Sequence, residues 1–275
     1  MGQVKIHILT DNTAQPGFEA EHGLSMAVEL PSGALWLWDT GASGMFARNA
    51  QKMAVPVAAA KGLALSHGHY DHTGGLKTLF EDVGFAGPVY AHPDHALPRF
   101  VSKPGEPVKA IGLDTVGMSA PLPGFVPVEG SVALDEGLTF FAPVPRKPGA
   151  FESVHGFFFD AACTRPDTIA DDGFLTVATD KGVVVILGCC HSGLGNTLRL
   201  AAEELGVDRF HAVVGGLHLK HEQATAFTRT LGAMEKYHVA ACCPGHCTGD
   251  PALQFLTALF GGTVTPLASG LTLTF

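Results

Sequence analysis

Three histidines and one aspartate lie within six consecutive positions of the chain: His67, His69, Asp71 and His72. Glycines within and just after this group let the backbone bend tightly or let a ligand approach closely. Neutral imidazole together with carboxylate favours zinc, iron or manganese over calcium and magnesium, which prefer shells of oxygen atoms. A lone histidine is usually a hydrogen-bonded surface or core residue, but this density predicts a transition-metal site.

The metal segment is expected to lie between a strand and a helix. Residues 62–66 form a short apolar run that is typical of a buried strand. Thr73 is predicted to cap a helix whose apolar side chains recur at helical spacing, at Leu76, Leu79 and Phe80. The candidate ligands are therefore expected in a strand-to-helix loop, where a rigid scaffold can present catalytic groups to a substrate.

Spacing divides the four candidate ligands into two pairs. His67 and His69 are two positions apart, so both imidazoles can reach one ion. Asp71 and His72 leave the turn on another side and suit a neighbouring second ion. Asp71 is also the predicted catalytic residue, because a carboxylate there can both bind a metal and orient a water molecule.

The pattern His-x-His-x-Asp-His, which follows an apolar strand and precedes Thr-Gly-Gly-Leu, resembles the signature motif of the metallo-β-lactamase superfamily. The resemblance implies an α/β fold, a four-layer αββα sandwich in which helices cover two sheets. It also implies a dinuclear metal site. Hydrophobic periodicity alone predicts only a mixed α/β chain.

Asp39 opens a glycine-containing turn, Asp-Thr-Gly-Ala-Ser, at the end of a predicted hairpin strand. The turn is similar to the first motif of the same superfamily. There the aspartate is thought to brace the metal loop from outside the ligand shell, as outer carboxylates do for ligating histidines. The local sequence alone is equally compatible with a simple turn in which Asp39 caps a helix.

Three later histidines follow predicted strands and lie in glycine-containing loops: His191, His218 and His246. Several such loops in one chain that already has a metal motif are expected to converge on one site. His246, in Pro-Gly-His-Cys-Thr-Gly, resembles the last superfamily motif and is expected to join Asp71 and His72. We interpret His191 as the third ligand of the ion held by His67 and His69.

The loop of His191 departs from the superfamily pattern. Many relatives have a glycine-aspartate pair here, and its aspartate bridges the two metals, whereas this chain has Gly188 followed by Cys189 and Cys190. Either cysteine is a candidate to replace the bridge. Alternatively, water or hydroxide bridges the ions alone.

The later loops, with Tyr70 in the first motif, are similar to one subgroup of the superfamily, the dihydropteroate-synthase-like proteins. This subgroup is linked to dihydropterin-ribofuranosyl-aminobenzene phosphate synthase chemistry. Within the resemblance His218 is expected to contact the substrate rather than the metal. Arg146 is a second candidate for an anionic substrate through its bidentate fork, although an arginine flanked by prolines is often a solvated loop residue.

Length and composition predict one domain over residues 1–275, and the resemblance implies that this domain is metallo-β-lactamase-like. Hydrophobic residues make up 46% of the 275 and charged residues 16%, which is enough to bury a substantial core. Residues 99–130 are rich in proline and glycine and are interpreted as an inserted loop or lid over the site. His92 and His95 follow a strand without a clear ligand role, and the aromatic run 157–159 is expected to pack in the core.

The acidic net charge and the lack of a recognisable targeting signal predict small-molecule partners, including anionic ones. The formal net charge is -9 with only 17 lysines and arginines, which argues against a nucleic-acid or membrane surface. No signal peptide is recognisable, and the longest apolar run, residues 182–190, is too short to cross a bilayer. We expect a cytoplasmic protein with reduced cysteines, and the sequence does not predict its oligomeric state.

The predicted function is a metal-dependent hydrolase of an ester or phosphoester-type small molecule, with two divalent transition-metal ions that activate water. Zinc is the expected metal, and iron and manganese are alternatives. A pterin-type transferase that releases diphosphate is the first alternative function. A non-catalytic metal-binding module is the second; redox and nucleic-acid chemistry would need a further domain.

Overall fold

The computed structural model describes residues 3–118 and 120–275. Contacts divide the chain into two compact units. The first unit comprises Met1–Glu129, Val154–Asp171 and Ala268–Phe275, and the second comprises Gly130–Ser153 and Asp172–Leu267. Ser119, within the predicted insertion, lies outside the described residues, and the prediction of one domain with an inserted segment stays a prediction.

The strands in chain order are β1 (Lys5–Thr10), β2 (Ser25–Glu29), β3 (Leu35–Trp38), β4 (Leu63–Ala64), β5 (Val89–Ala91), β6 (Phe100–Val101), β7 (Lys109–Ala110), β8 (Phe125–Pro127), β9 (Gly130–Asp135), β10 (Leu138–Ala142), β11 (Phe157–Phe158), β12 (Phe174–Thr179), β13 (Gly182–Leu187), β14 (Ala212–Gly216), β15 (Ala241–Gly245), β16 (Thr263–Val264) and β17 (Thr272–Thr274). The α-helices are α1 (Met45–Lys52), α2 (Tyr70–Thr73), α3 (Leu76–Glu81), α4 (Leu194–Leu205), α5 (Ala224–Lys236) and α6 (Asp250–Leu259). Short 3-10 helices cover Val57–Ala59, Pro93–Ala96 and Leu113–Val116.

The first unit is built on a seven-stranded sheet with the order β17-β1-β2-β3-β4-β5-β8. The strands β3, β4 and β5 are parallel neighbours. Phe46 of α1 and Leu76 and Leu79 of α3 pack with strand residues in one apolar core, which fixes both helices against the sheet. The segments that follow β3, β4 and β5 therefore leave the sheet at the same edge.

The second unit repeats this arrangement with a seven-stranded sheet in the order β16-β15-β14-β13-β12-β10-β9. β12 and β13 form an antiparallel hairpin, while β13, β14 and β15 are parallel. Helices α4 and α5 bury their apolar faces in the core of this unit, and Gly206 ends α4 in a left-handed conformation. The loops after β13, β14 and β15 again leave at one edge.

The predicted α/β class is confirmed: helices pack on the sheets, and parallel strands form one half of each seven-stranded sheet, from its middle strand to one edge. A three-stranded sheet of β11, β6 and β7 adds to the first unit. No helix of the described residues is long and apolar enough to cross a membrane.

Two local predictions were wrong. Thr73 does not cap the following helix; it ends α2, and its hydroxyl donates to the His69 carbonyl at 3.0 Å, because Gly74 and Gly75 separate two helical turns. The aromatic run 157–159 is half-buried rather than packed in the core, since its first two residues form the short strand β11. Within the predicted insertion, Leu113 and Leu122 belong to the apolar core.

Candidate metal centre

The loop after β4 gathers four candidate ligands inside the first unit. His67, His69, Asp71 and His72 are all buried, with at most 7% of each residue exposed. His67 Nε2 lies 3.0 Å from His69 Nδ1, and the rings of His67 and His72 lie 4.2 Å apart. Two nitrogens that bind one tetrahedral zinc ion at about 2.0–2.1 Å are roughly 3.4 Å apart, so the first pair has a spacing suited to one ion.

Hydrogen bonds fix which imidazole nitrogens face outward. The Ser66 hydroxyl donates to Asp39 Oδ2 at 2.7 Å and lies 2.8 Å from His67 Nδ1, so it accepts the Nδ1 proton of His67. The same carboxylate accepts the Nδ1 proton of His72 at 2.7 Å. Both neutral imidazoles then carry a lone pair on Nε2, which is the form that binds a metal.

Asp39 is fully buried and follows β3 with a φ of 56°, a conformation that aspartate tolerates better than most residues. Its Oδ1 accepts the Ser66 N–H at 2.7 Å, and its own carbonyl accepts the Ser25 hydroxyl at 2.9 Å. Asp39 thus holds Ser66 and His72 of the metal loop in place from outside the candidate ligands. The effect of Asp39 on metal binding stays a prediction.

The Asp39→Asn variant is expected to bind zinc about 10–100-fold more weakly, because the amide presents donors where Ser66 and His72 need acceptors. Asparagine also tolerates the left-handed backbone, so the fold should persist. The measurement is zinc affinity by competition with a chelator. Asp11→Asn is the matched control, since Asp11 is a buried carboxylate of the same unit that accepts the N–H of Thr13. Equal affinities of the two variants would contradict the role of Asp39.

His22 lies beside Asp71 in the first unit, and it was not predicted from the sequence. Its Nε2 lies 3.2 Å from Asp71 Oδ2, although more than half of its side chain is exposed. The residue lies in the long connection between β1 and β2, outside the histidine motifs. Nothing in the local sequence therefore signals it.

His92 and His95 have structural partners. His92 Nδ1 accepts the N–H of Asp94 and so caps the turn Pro93–Ala96. His95 donates its Nδ1 proton to the His92 carbonyl at 2.9 Å, and burial lowers the pKa of His95. Contacts within the turn Pro93–Ala96 therefore account for both His92 and His95.

The second unit contributes the loops after β13, β14 and β15, which carry His191, His218 and His246. Cys247 ties these loops together: its Sγ accepts the His218 N–H at 3.3 Å, and its thiol donates to the Cys189 carbonyl at 3.7 Å. His191 is fully buried, and its ring centroid lies 4.2 Å from that of His218. The structure thus brings the later predicted histidines of this unit to one sheet edge.

Residues in these loops adopt left-handed backbone conformations, with φ values of 60° at Cys190, 46° at His218 and 51° at His246. Such conformations cost a non-glycine residue about 1–3 kcal/mol and are concentrated at functional sites. The sequence places histidine where glycine would be less strained. Together with their position in the loops after β14 and β15, this conformation makes His218 and His246 functional candidates.

The buried polar contacts orient His191 in the same way as His67. Its Nδ1 donates to the Ser153 carbonyl at 2.8 Å, since a carbonyl can only accept, and Nε2 of the neutral ring keeps its lone pair. His218 Nδ1 lies 2.9 Å from the Ser153 hydroxyl, which donates to Glu222 Oε1 at 2.7 Å and therefore accepts from His218. Ser153 and Glu222 are distant in sequence and were not predicted.

The two adjacent cysteines have different surroundings. Cys190 belongs to the apolar core, its Sγ lies 3.5 Å from Thr197 Oγ1, and burial raises the pKa of its thiol. A neutral thiol is a poor metal ligand, so the structure favours Cys189 over Cys190. Within the described residues, the side chains that could hold a metal are His22, His67, Asp71 and His72 in the first unit and Cys189, His191 and His246 in the second.

Arg146 has partners of its own in the second unit. Its Nε lies 3.2 Å from Ser192 Oγ and 3.3 Å from Glu152 Oε2, and its side chain is 19% exposed. It is therefore not a solvated loop residue. Binding of an anionic substrate by Arg146 or by His218 stays a prediction.

The family comparison agrees with this geometry. A family model described as metallo-beta-lactamase superfamily matches residues 20–152. The solved structure of Tm1679, described as a metal-dependent hydrolase of the beta-lactamase superfamily, superposes with a TM-score of 0.83 at 29% identity and covers 98% of both chains. Residues 20–152 thus match the metallo-beta-lactamase superfamily, and the solved structure of Tm1679 is similar over nearly the whole chain.

Two curated relatives come from Methanocaldococcus jannaschii. One is 7,8-dihydropterin-6-methyl-4-(beta-D-ribofuranosyl)-aminobenzene-5'-phosphate synthase, which is 26% identical over 270 residues and covers 90% of this chain and 89% of the relative. The other, the uncharacterized protein MJ0448, is 29% identical over 258 residues and covers 92% of this chain and 94% of the relative. The predicted resemblance to the superfamily is thus confirmed. The predicted resemblance to a pterin synthase is confirmed by the first of these two relatives.

Proposed function

We propose that this chain is a metal-dependent hydrolase of a small ester or phosphoester. The observation that carries the proposal is the buried group of His67, His69, Asp71 and His72, in which Ser66 and Asp39 hold imidazole protons away from the metal-binding nitrogens. Burying such a group of imidazoles and a carboxylate without a cation is costly, so the donor set fits a metal. The likeness to Tm1679, a metal-dependent hydrolase by its description, supports the same reaction class.

The proposed centre holds two divalent transition-metal ions. His67, His69 and His191 would hold one ion, and Asp71, His72 and His246 would hold the other. Zinc suits this mixture of imidazole and carboxylate, and iron or manganese are the alternatives. Cys189 would be a further candidate ligand, and His22 is a candidate partner of Asp71.

In the proposed reaction the chain's own groups orient the reactants. When bound, ions of this kind supply Lewis acidity that makes water a better nucleophile near neutral pH and stabilises developing negative charge. Asp71 orients the attacking water and receives its proton. His218, whose Nδ1 proton is committed to Ser153, presents Nε2 to a polar group of the substrate.

A second candidate function is synthase chemistry, and the similarity to the pterin synthase over about nine-tenths of both chains favours it. In this case the substrates are a dihydropterin diphosphate and an aminobenzene-type amine, and diphosphate leaves as the new bond forms. The same side chains would serve both reactions, because each needs a stabilised anionic leaving group. The nucleophile is what distinguishes them.

The test is to incubate the metal-loaded protein with a dihydropterin diphosphate, with and without an aminobenzoate derivative, and to measure diphosphate. A hydrolase uses water, so release is expected without amine and unchanged by it, and generic ester or phosphodiester probes should also turn over. Release that depends on the amine would overturn the hydrolase proposal and establish the synthase. Protein stripped of metal by a chelator is the control and should be inactive in both arms.

A further inference from the structure

We infer that Arg99 and Asp171 form a buried ion pair that positions the His67–His69 loop for metal binding. The inference deepens the proposed function and rests on it. Arg99 and Asp171 have relative exposures of 1% and 0%, and Arg99 Nη2 lies 2.6 Å from Asp171 Oδ1. The other oxygen, Oδ2, accepts the N–H of Gly68 at 2.8 Å. Gly68 is the residue between the two histidines, so the carboxylate holds the backbone that sets their spacing.

The opposite side of Gly68 is also held. A Cβ added at Gly68 would collide with the carbonyl of His95, so the loop lies directly against that segment. Arg99 Nη2 also donates to the carbonyl of Asp94 at 3.1 Å. One guanidinium therefore fixes both Asp171 and the turn against which Gly68 packs.

The segment that ends in Asp171 also contacts His69. Phe157 of β11 stacks on the His69 ring, with centroids 5.2 Å apart and planes at 28°. Asp167 donates its N–H to the carbonyl of Phe157 at 2.9 Å, and its Oδ2 accepts from Arg99 Nη1 at 2.5 Å. Phe157 therefore orients one ligand ring and Asp171 holds the backbone before it, whereas Asp167 contacts Phe157 through its backbone N–H.

A buried ion pair contributes little net stability, because desolvating the charges offsets their attraction. Arg99, Asp167 and Asp171 are buried together in one cluster of three charges. A positioning role explains why one carboxylate reaches the metal loop. The two carboxylates supply a matched comparison: each pairs with Arg99 and accepts one backbone N–H, from Gly68 at Asp171 and from Ile169 at Asp167.

The experiment compares Asp171→Ala with Asp167→Ala by zinc affinity in chelator competition and by urea unfolding of the metal-free proteins. Both variants lose one Arg99 contact and one backbone acceptor, so similar losses of unfolding stability are expected. Zinc affinity is expected to fall about 10–100-fold in Asp171→Ala and less than about threefold in Asp167→Ala. Asp171→Asn, which keeps an acceptor for Gly68, should recover part of the affinity and serves as the test if Asp171→Ala does not fold.

Equal zinc affinity of the two alanine variants, or losses that follow unfolding stability in both, would overturn the positioning role. So would zinc affinity of Asp171→Asn equal to that of Asp167→Ala, should Asp171→Ala fail to fold. Wild-type protein that binds no zinc, iron or manganese would overturn the proposed function and this inference with it. Wild-type protein that binds zinc while the variants do not differ would overturn this inference alone.

Discussion

The His67→Ala variant is expected to bind metal more than about 100-fold more weakly than wild type, because loss of a ligand costs more than loss of its hydrogen-bonding partner. His246→Ala should also reduce metal content, because His246 is a proposed ligand of the second ion. The measurement is metal per chain by elemental analysis after gel filtration.

His7→Ala is the matched control for His67→Ala. His7 is a mostly buried histidine of the same unit whose ring nitrogens contact Thr272 and Glu29. Its replacement should leave metal content unchanged. Unaltered metal content in both His67→Ala and His246→Ala would refute the ligand assignment.

The Asp71→Asn variant is expected to lose about 10²–10⁴-fold in turnover of an ester or phosphodiester probe, the range typical of a group that handles a proton in the reaction. The amide cannot accept the proton of water, although it retains an oxygen near His22 and His72. Rates are compared at full metal occupancy, established by elemental analysis of the assayed sample. This separates proton handling from metal loss.

Asp82→Asn is the control for this variant, because Asp82 is an exposed carboxylate at the end of α3. It should retain wild-type turnover. A metal-loaded Asp71→Asn protein that turns over the probe within about threefold of wild type would rule out the assigned role of Asp71.

The sequence predicted the parts of the site that are local. The group from His67 to His72 is compact, and its position after a short apolar strand follows from hydrophobic pattern alone. The loops of His191, His218 and His246 could be placed at strand ends for the same reason, and parallel neighbours bring them to one edge of their sheet.

Long-range contacts were beyond sequence reasoning. Asp171 accepts from Gly68 across 103 positions, and Ser153 contacts His218 across 65. Such pairs depend on chain topology rather than on periodicity, and each residue alone is an ordinary loop residue. His22 was missed for the same reason.

Two local errors have a different cause. Threonine often caps a helix, but the Thr73 hydroxyl instead donates to the carbonyl of His69, four residues earlier. Such local bonds from a threonine hydroxyl to the backbone compete with capping. The run 157–159 is apolar, and hydrophobicity does not distinguish a residue that packs in the core from one that packs against a metal-ligand side chain. Phe157 takes the second role by stacking on His69.

The most direct test of a metal centre is anomalous scattering measured on both sides of the zinc, iron and manganese edges, from crystals grown without added metal. We expect anomalous peaks at bonding distance from His67, His69 and His191 and from Asp71, His72 and His246, with a coordination position left for water or substrate. Crystals without a transition-metal peak at these side chains would contradict it.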